Sequence, residues 1–286
     1  RIKIGNRLIS EGQRCFIIAE AGVNHNGDIT LAKKLVDVAK ESGADAVKFQ
    51  TFKAEEVVTK NAKKIKYQTE STGVEESQFE MIKKLELSEG DFKELFDYAQ
   101  KKEILFFSTP DDKGSVDLLD ALGVVSFKVG SGEITNFPLL KYIAKKAKPI
   151  ILSTGTATLE EVKEALEVIQ KEGLKEIILL HCVTAYPAKI EDMNLRAIDT
   201  LRNIFKLPVG LSDHTLGITI PIAATALGAC IIEKHFTLDR NLSGPDHKAS
   251  LEPEELINMV RVIKEVEAAL GDGLKRPTKN EEEIKN

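Results

Sequence analysis

The chain has no tryptophan, and aromatic residues of any kind make up only 6% of its 286 positions. Platforms that stack single-stranded nucleic acid are built from aromatic side chains, so that class is disfavoured. There is no basic excess either: 40 Lys and Arg stand against 45 Asp and Glu, a net charge of −5, whereas a phosphate backbone selects a basic surface. No apolar run reaches the roughly 18 residues a membrane-crossing helix needs. The opening residues RIKIGNRLISEG lack the apolar stretch of a secretory signal. Cys15, Cys182 and Cys230 are too few and too scattered for a disulfide framework, and each sits in or at the end of an apolar run, as a buried thiol does. The expectation is a cytoplasmic protein with neither a nucleic-acid nor a membrane partner.

What is present is alternation. Hydrophobic residues make up 42% of the chain, enough for a large core. Eight short apolar runs recur: FIIAEA (16–21), AVKFQT (46–51), ILFFST (104–109), VSFKVG (125–130), PIILST (149–154), IILLHC (177–182), PVGLSD (208–213) and CIIEKH (230–235). They are apolar on consecutive positions, the pattern of strands buried on both faces. Segments of helical period separate them. Within 30–43, Leu31, Leu35, Val38 and Ala39 form one face and Gly43 is a stop; within 158–173, Thr158 and Glu161 have capping-box spacing. Further helices are expected at 88–102, 113–122, 136–146, 192–205, 216–228 and 253–270. Eight strands each followed by a helix predict a (β/α)8 TIM barrel over 16–270. A doubly wound open sheet is the alternative, and it lacks its usual Gly-rich first turn here. Residues 1–15 form a short N-terminal extension expected to cover the barrel bottom. Residues 53–85 read as a long polar connection, and 271–286 as a charged linker or frayed end.

Active sites of such barrels lie at the C-terminal ends of the strands. Those ends carry Glu20; Lys48 and Gln50; Ser108 and Thr109; Lys128, Ser131 and Glu133; Ser153 and Thr154; His181; Ser212, Asp213 and His214; and Glu233, Lys234 and His235. Ser and Thr at strand ends are unremarkable. Lys48, Lys128 and Lys234 inside apolar strands are not, because a buried Lys needs a partner or a ligand. Three Lys at one mouth point to an anion, and small hydroxyls and backbone N–H groups in GSG (130–132) and STG (153–155) suit a phosphate or carboxylate. His214 and His235 end adjacent strands and could share a divalent ion such as Mn2+ or Zn2+, or be two separately hydrogen-bonded rings. Glu20 and Glu133 are acid/base candidates, with ion pairing to Lys48 or Lys128 as the competing role. Asp246 and His247, in GPDHKAS (244–250), are placed to meet substrate hydroxyls.

These stretches also carry a resemblance. IAEAGVNHNG (18–27), VKFQTF (47–52), FSTP (107–110), FKVGSGE (127–133), LSTGTA (152–157), LHCVTAYPA (180–188), GLSDHT (210–215), EKHFTLDR (233–240) and GPDHKASLEP (244–253) resemble the sialic acid synthase family, the phosphoenolpyruvate-dependent synthases of nonulosonic acids. The resemblance runs from about residue 16 onward. It implies condensation of phosphoenolpyruvate with an open-chain N-acetylated hexosamine, N-acetylmannosamine or a related diacetamido sugar, with release of phosphate. It assigns phosphoenolpyruvate contacts to Lys48, Thr109, Lys128, Ser131, Ser153 and Ser212, and sugar contacts to Glu20, Gln50, Tyr186 and Asp246. It assigns proton management to Glu133, while Glu20 stays a catalytic candidate on its position at the end of its strand. It gives His214 and His235 a divalent metal, Mn2+ first with Mg2+ or Co2+ as alternatives. It further implies a homodimer, and a C-terminal antifreeze-like domain beyond 271–286 that lends an Arg to the partner's site. One departure is Asp111, where the family often has an aromatic before Asp112. GPDHKAS leans toward N-acetylneuraminic or legionaminic acid as product. A synthase acting on a sugar phosphate would need a second basic set, and a non-catalytic sugar-acid binding barrel would not need Glu133, His214 and His235 together.

Overall fold

The computed structural model describes residues 1–64, 68–69, 72–74 and 76–285, so part of the 53–85 connection lies outside the described residues. An antiparallel hairpin, β1 (Ile2–Ile4) and β2 (Arg7–Ile9), comes first. Eight parallel strands follow: β3 (Phe16–Gly22), β4 (Ala46–Thr51), β5 (Leu105–Pro110), β6 (Phe127–Val129), β7 (Ile150–Ser153), β8 (Ile177–Cys182), β9 (Val209–Asp213) and β10 (Ile231–His235). They form one sheet in the order β5-β4-β3-β10-β9-β8-β7-β6. Its two end strands, β5 and β6, lie side by side, so the sheet is rolled into a barrel and is not the open alternative.

Helices α1 (Ile29–Ser42), α4 (Glu89–Lys101), α5 (Lys113–Leu122), α6 (Phe137–Ala144), α7 (Leu159–Lys171), α8 (Ala197–Phe205), α9 (Thr219–Ala226) and α10 (Pro253–Leu270) follow the barrel strands in turn, with the short α2 and α3 between β4 and α4. The sequence signals work as local chemistry. Asp28 caps α1, which ends at Gly43 in the left-handed region (φ 76°), and Thr158 with Glu161 closes a capping box on α7. The 53–85 segment is not all loop. It carries α2 (Ala54–Val57) and α3 (Gln78–Leu85), the latter opened by a Ser77/Glu80 capping box. Met81 and Leu85 of α3 are buried, and Leu85 clusters with Val23 and Phe52 over the barrel mouth. A last helix, α11 (Lys279–Lys285), lies in the charged tail, whose described side chains are all exposed.

Strand alternation sorts the core into two shells. Ile17, Ala19, Val47, Phe49 and Ile232 face the helices. Phe16, Ile18, Ala46, Phe107, Ile151, Ile178, Leu180 and Ile231 fill the lower barrel. Ile2, Ile4 and Ile9 of the hairpin pack into this inner cluster, so the extension does cover the bottom. The inner positions turn polar only toward the C-terminal ends of the strands, so polar chemistry collects at the mouth.

Candidate active site

Parity within each strand decides which side chains reach the mouth. Glu20 continues the inward set of Phe16 and Ile18; Lys48 and Gln50 continue from Ala46; Thr109 follows Phe107, Ser153 follows Ile151, Cys182 follows Leu180. Together with Lys128, Ser131, Tyr186, Ser212, His214, Glu233 and His235 they line one cavity. Register brings the key groups level: Glu20 pairs with Lys48 on one side and His235 on the other, and Glu233 pairs with Ser212.

The two lysines are buried and bridged by carboxylates. Lys48 Nζ lies 2.9 Å from Glu20 Oε1 and 3.8 Å from Glu233 Oε2, and Lys128 Nζ lies 3.4 Å from Glu233 Oε1. Each also donates to a hydroxyl, Lys48 to Thr109 Oγ1 at 2.9 Å and Lys128 to Ser153 Oγ at 2.8 Å. Ser212 Oγ donates to Glu233 Oε1 at 2.9 Å. Ser131 Oγ accepts from the Gly155 N–H at 2.9 Å; a Cβ at Gly155 would lie 2.1 Å from Thr184 Oγ1, so only glycine permits this approach. Burial opposes charge on all four ionisable groups. For Glu233 the lysines Lys128 and Lys48 outweigh it and hold the carboxyl below its ordinary range. For Glu20 burial prevails over Lys48, aided by repulsion from Glu233, and its pKa rises to about 7. Burial likewise depresses Lys128, whereas Glu20 and Glu233 overcome it at Lys48 and raise that ammonium. The pocket thus gathers two lysines among carboxylates, of which Glu233 is the one they hold ionised, and the lysine N–H donors with the neighbouring hydroxyls suit a small anion.

His214 and His235 stand beside this receptor, their ring centroids 5.5 Å apart. His214 Nδ1 donates to the Val183 carbonyl at 2.8 Å, which fixes its tautomer and leaves Nε2 a lone pair. Burial, with His214 and Lys48 nearby, holds His235 well below the ordinary imidazole range, and its buried Nδ1 has no hydrogen-bond partner among the described residues. Glu20 Oε2 is likewise unpartnered there. No trio of His, Cys, Asp or Glu converges on a cation position among the described residues. Two imidazoles with remaining positions for water and substrate oxygens still fit a divalent ion, and the orphaned nitrogen suits one.

A second chamber adjoins the first across Gln50, Asp111 and Tyr186. Val23, Phe52, Val57, Met81, Ile82 and Leu85 give it an apolar wall, and Asp246 completes it. Burial raises Asp246 to about 6, His214 opposing. The Tyr186 ring lies 4.1 Å from that of His214 and 5.7 Å from that of His235, and it lines both the first cavity and the chamber.

The remaining candidates lie elsewhere. Glu133 sits at the rim in a short 3-10 turn (Ser131–Glu133), half-buried, its carboxylate accepting from Asn136 at 2.6 Å, and it does not line the cavity. Lys234 is not at the mouth. With Glu233 and His235 facing inward it faces out, fully buried, paired at 2.5 Å with Asp213 and donating to the Thr215 carbonyl. Ser108 also faces out, bonded to Thr51. His181 contacts the Met193 carbonyl, and His247 ties Thr237 Oγ1 to Asn26; both are structural. Glu233, named at its strand end without a role, shares the inward parity of His235 and lines the cavity, and Asp111, noted only as a departure from the family, continues the inward set of Thr109.

Three comparisons bear on this arrangement. A solved N-acetylneuraminic acid (sialic acid) synthetase from Leptospira borgpetersenii, in complex with citrate, superposes with a TM-score of 0.87 at 39% identity, over 99% of this chain and 94% of that one. The N,N'-diacetyllegionaminic acid synthase of Campylobacter jejuni is 57% identical over 272 residues, 94% of this chain and 81% of that protein. Its namesake from Legionella pneumophila is 52% identical over 93% of this chain and 76% of that protein. Residues 35–275 match the NeuB family as a whole, and the chain belongs to that family.

Proposed function

We propose that this chain is a nonulosonic acid synthase that condenses phosphoenolpyruvate with an open-chain N-acetylated hexosamine, N-acetylmannosamine or a related diacetamido sugar, and releases phosphate. The observation that carries the reading is the lysine pair at the mouth, Lys48 and Lys128, held by Glu20 and Glu233 and flanked by Thr109, Ser131, Ser153 and Ser212. Phosphoenolpyruvate carries a phosphate and a carboxylate, which two ammonium groups with hydroxyl donors on neighbouring strands can hold. The apolar and acidic chamber beside it, with Gln50, Tyr186 and Asp246, suits an uncharged acetamido sugar. Holding the enol carbon against the aldehyde carbon converts a two-body encounter into a near-unimolecular step.

In this reading a new bond joins C3 of phosphoenolpyruvate to the aldehyde carbon, water adds at C2, and phosphate leaves from the same carbon. Glu20 is the group best placed to exchange the protons, since its carboxyl titrates at about 7 and one oxygen is free. Glu133 could join it near C2 only by turning from Asn136. His214 and His235 would hold the divalent ion, Mn2+ first. A bound ion supplies Lewis-acid polarisation of the aldehyde oxygen. A homodimer and a cytoplasmic setting belong to the same reading; no described helix is long and apolar enough to cross a membrane.

The test is phosphate release from phosphoenolpyruvate with Mn2+ and a panel of N-acetylhexosamines, run with the chain alone and with an antifreeze-like domain added in trans. Release that depends on sugar supports the synthase, and no release with any sugar sinks it. His235→Ala should abolish both activation by Mn2+ and calorimetric Mn2+ binding; unchanged Mn2+ affinity contradicts the ligand assignment.

A further inference from the structure

Asp111 and Asp112 are neighbours with opposite fates. Asp112 is spent on structure: it caps α5, accepting from the Ser115 N–H at 2.8 Å and the Ser115 hydroxyl at 2.6 Å, and also from the Lys53 N–H at 3.1 Å. Asp111 is held in place by its backbone, its N–H donating to the Thr51 carbonyl at 3.1 Å. No described residue donates a hydrogen bond to its carboxylate. Yet it lines both the anion cavity and the adjoining chamber, at the seam between them. In the synthase reading, that seam is where the sugar aldehyde would meet the enol carbon.

We propose that Asp111 is a specificity residue: its carboxylate accepts a hydrogen bond from a hydroxyl or amide N–H of a neutral acetamido sugar, and its charge disfavours an acceptor carrying a phosphate. The proposal rests on the synthase reading above. The half-buried Asp111 carboxylate opens into the cavity with no described protein donor, so a donor on the ligand can take the place of water there. The chamber that continues from Asp111 adds a second carboxylate, Asp246, and apolar walls from Val23, Phe52, Met81 and Leu85. No Lys or Arg is among the described residues that line it. A sugar phosphate extending into this chamber would meet two carboxylates and no cation, and like-charge contact is the usual means of excluding a competitor. The cationic groups Lys48 and Lys128 line the first cavity and not this chamber, on the side to which the synthase reading assigns phosphoenolpyruvate. Burial and repulsion from Glu133, opposed by Lys48, raise the Asp111 carboxyl to about 7, so its charge, and the exclusion of a phosphate with it, grows as pH rises through 7.

Two variants separate the acceptor from the charge. Asp111→Ala removes both, and KM for a neutral N-acetylhexosamine should rise about 10- to 100-fold, the loss of a hydrogen bond to a charged group. KM for phosphoenolpyruvate should stay level or fall, because a negative charge near Lys48 has gone. Asp111→Asn keeps an acceptor oxygen and the shape, so most of the affinity for neutral sugar should remain while the preference over its 6-phosphate narrows. Unchanged sugar KM and unchanged preference in both variants overturn the proposal and leave the synthase standing. If the wild type releases no phosphate with any sugar, the synthase reading falls first. Calorimetric affinities for N-acetylmannosamine and its 6-phosphate, in wild type and both variants, then decide Asp111: equal values in all three, or no binding at all, overturn it.

Discussion

Glu233 is the residue on which the electrostatics of the mouth turn. It is the carboxylate within ion-pair distance of both inner lysines, and its other oxygen has no described hydrogen-bond donor. Removing one partner of a buried ion cluster strands the remaining charges, typically at about 3–5 kcal/mol. Glu233→Gln should therefore lower the thermal midpoint in a phosphate-free buffer, and inorganic phosphate should raise that midpoint more than it does for wild type. Equal phosphate stabilisation in the two proteins would contradict an anion receptor built on Lys48 and Lys128. Asp246 makes a separate prediction about pH. Its folded pKa of about 6 exceeds the unfolded value near 3.8, so the folded state binds the extra proton. Its contribution is fully present below about pH 4 and is lost as pH rises through 6, on the order of 3 kcal/mol in all. Urea titrations at pH 4 and pH 8 should show wild type losing stability relative to Asp246→Asn across that interval; parallel pH dependence would place the Asp246 carboxyl at an ordinary pKa.

At the scale of elements, each of the eight barrel strands was legible as an apolar run, because strands buried on both faces need no pattern finer than composition. The facing of residues within them was less legible. Lys234 reads as a mouth residue until strand parity is applied: Ile231, Glu233 and His235 are inward, so Lys234 is paired with Asp213 behind the sheet. The helix α3 was missed within the 53–85 connection although Ser77 and Glu80 have capping-box spacing. Its apolar face is short, and what holds it is tertiary, Leu85 against Val23 and Phe52 from two other loops. The N-terminal hairpin is the opposite case, since its alternating Ile2 and Ile4 declare an inner face. Ile4 is fully buried in the lower-barrel cluster. Ile4→Ala should cost about 2–5 kcal/mol by chemical denaturation, well above the roughly 1 kcal/mol of an uncapped α7 in Thr158→Ala. A cost for Ile4→Ala no larger than that of the cap would mean the hairpin does not plug the barrel.

For the whole molecule, closure of the sheet converts distant motifs into one site. Glu20 and His235 stand at opposite ends of the barrel sequence yet are register partners on adjacent strands. The lysines, hydroxyls and histidine pair could be read from the sequence because strand ends are where a barrel keeps its chemistry. The pairing of Lys48 and Lys128 through Glu233, the hydrogen bond of Asn136 to Glu133, and the Asp111 carboxylate with no described donor could not, because each depends on side-chain direction and not on spacing. The net charge of −5 is silent on this arrangement in the same way, since a sum over the chain does not show two buried lysines gathered with their carboxylates at one mouth. The most direct test of the account is the fate of carbon label from phosphoenolpyruvate carrying 13C at C3, incubated with the protein, Mn2+ and an N-acetylated hexosamine. The account predicts one equivalent of inorganic phosphate and one new acid in which the labelled carbon is bonded to the former aldehyde carbon of the sugar. Phosphate released with all of the label recovered as pyruvate would contradict it.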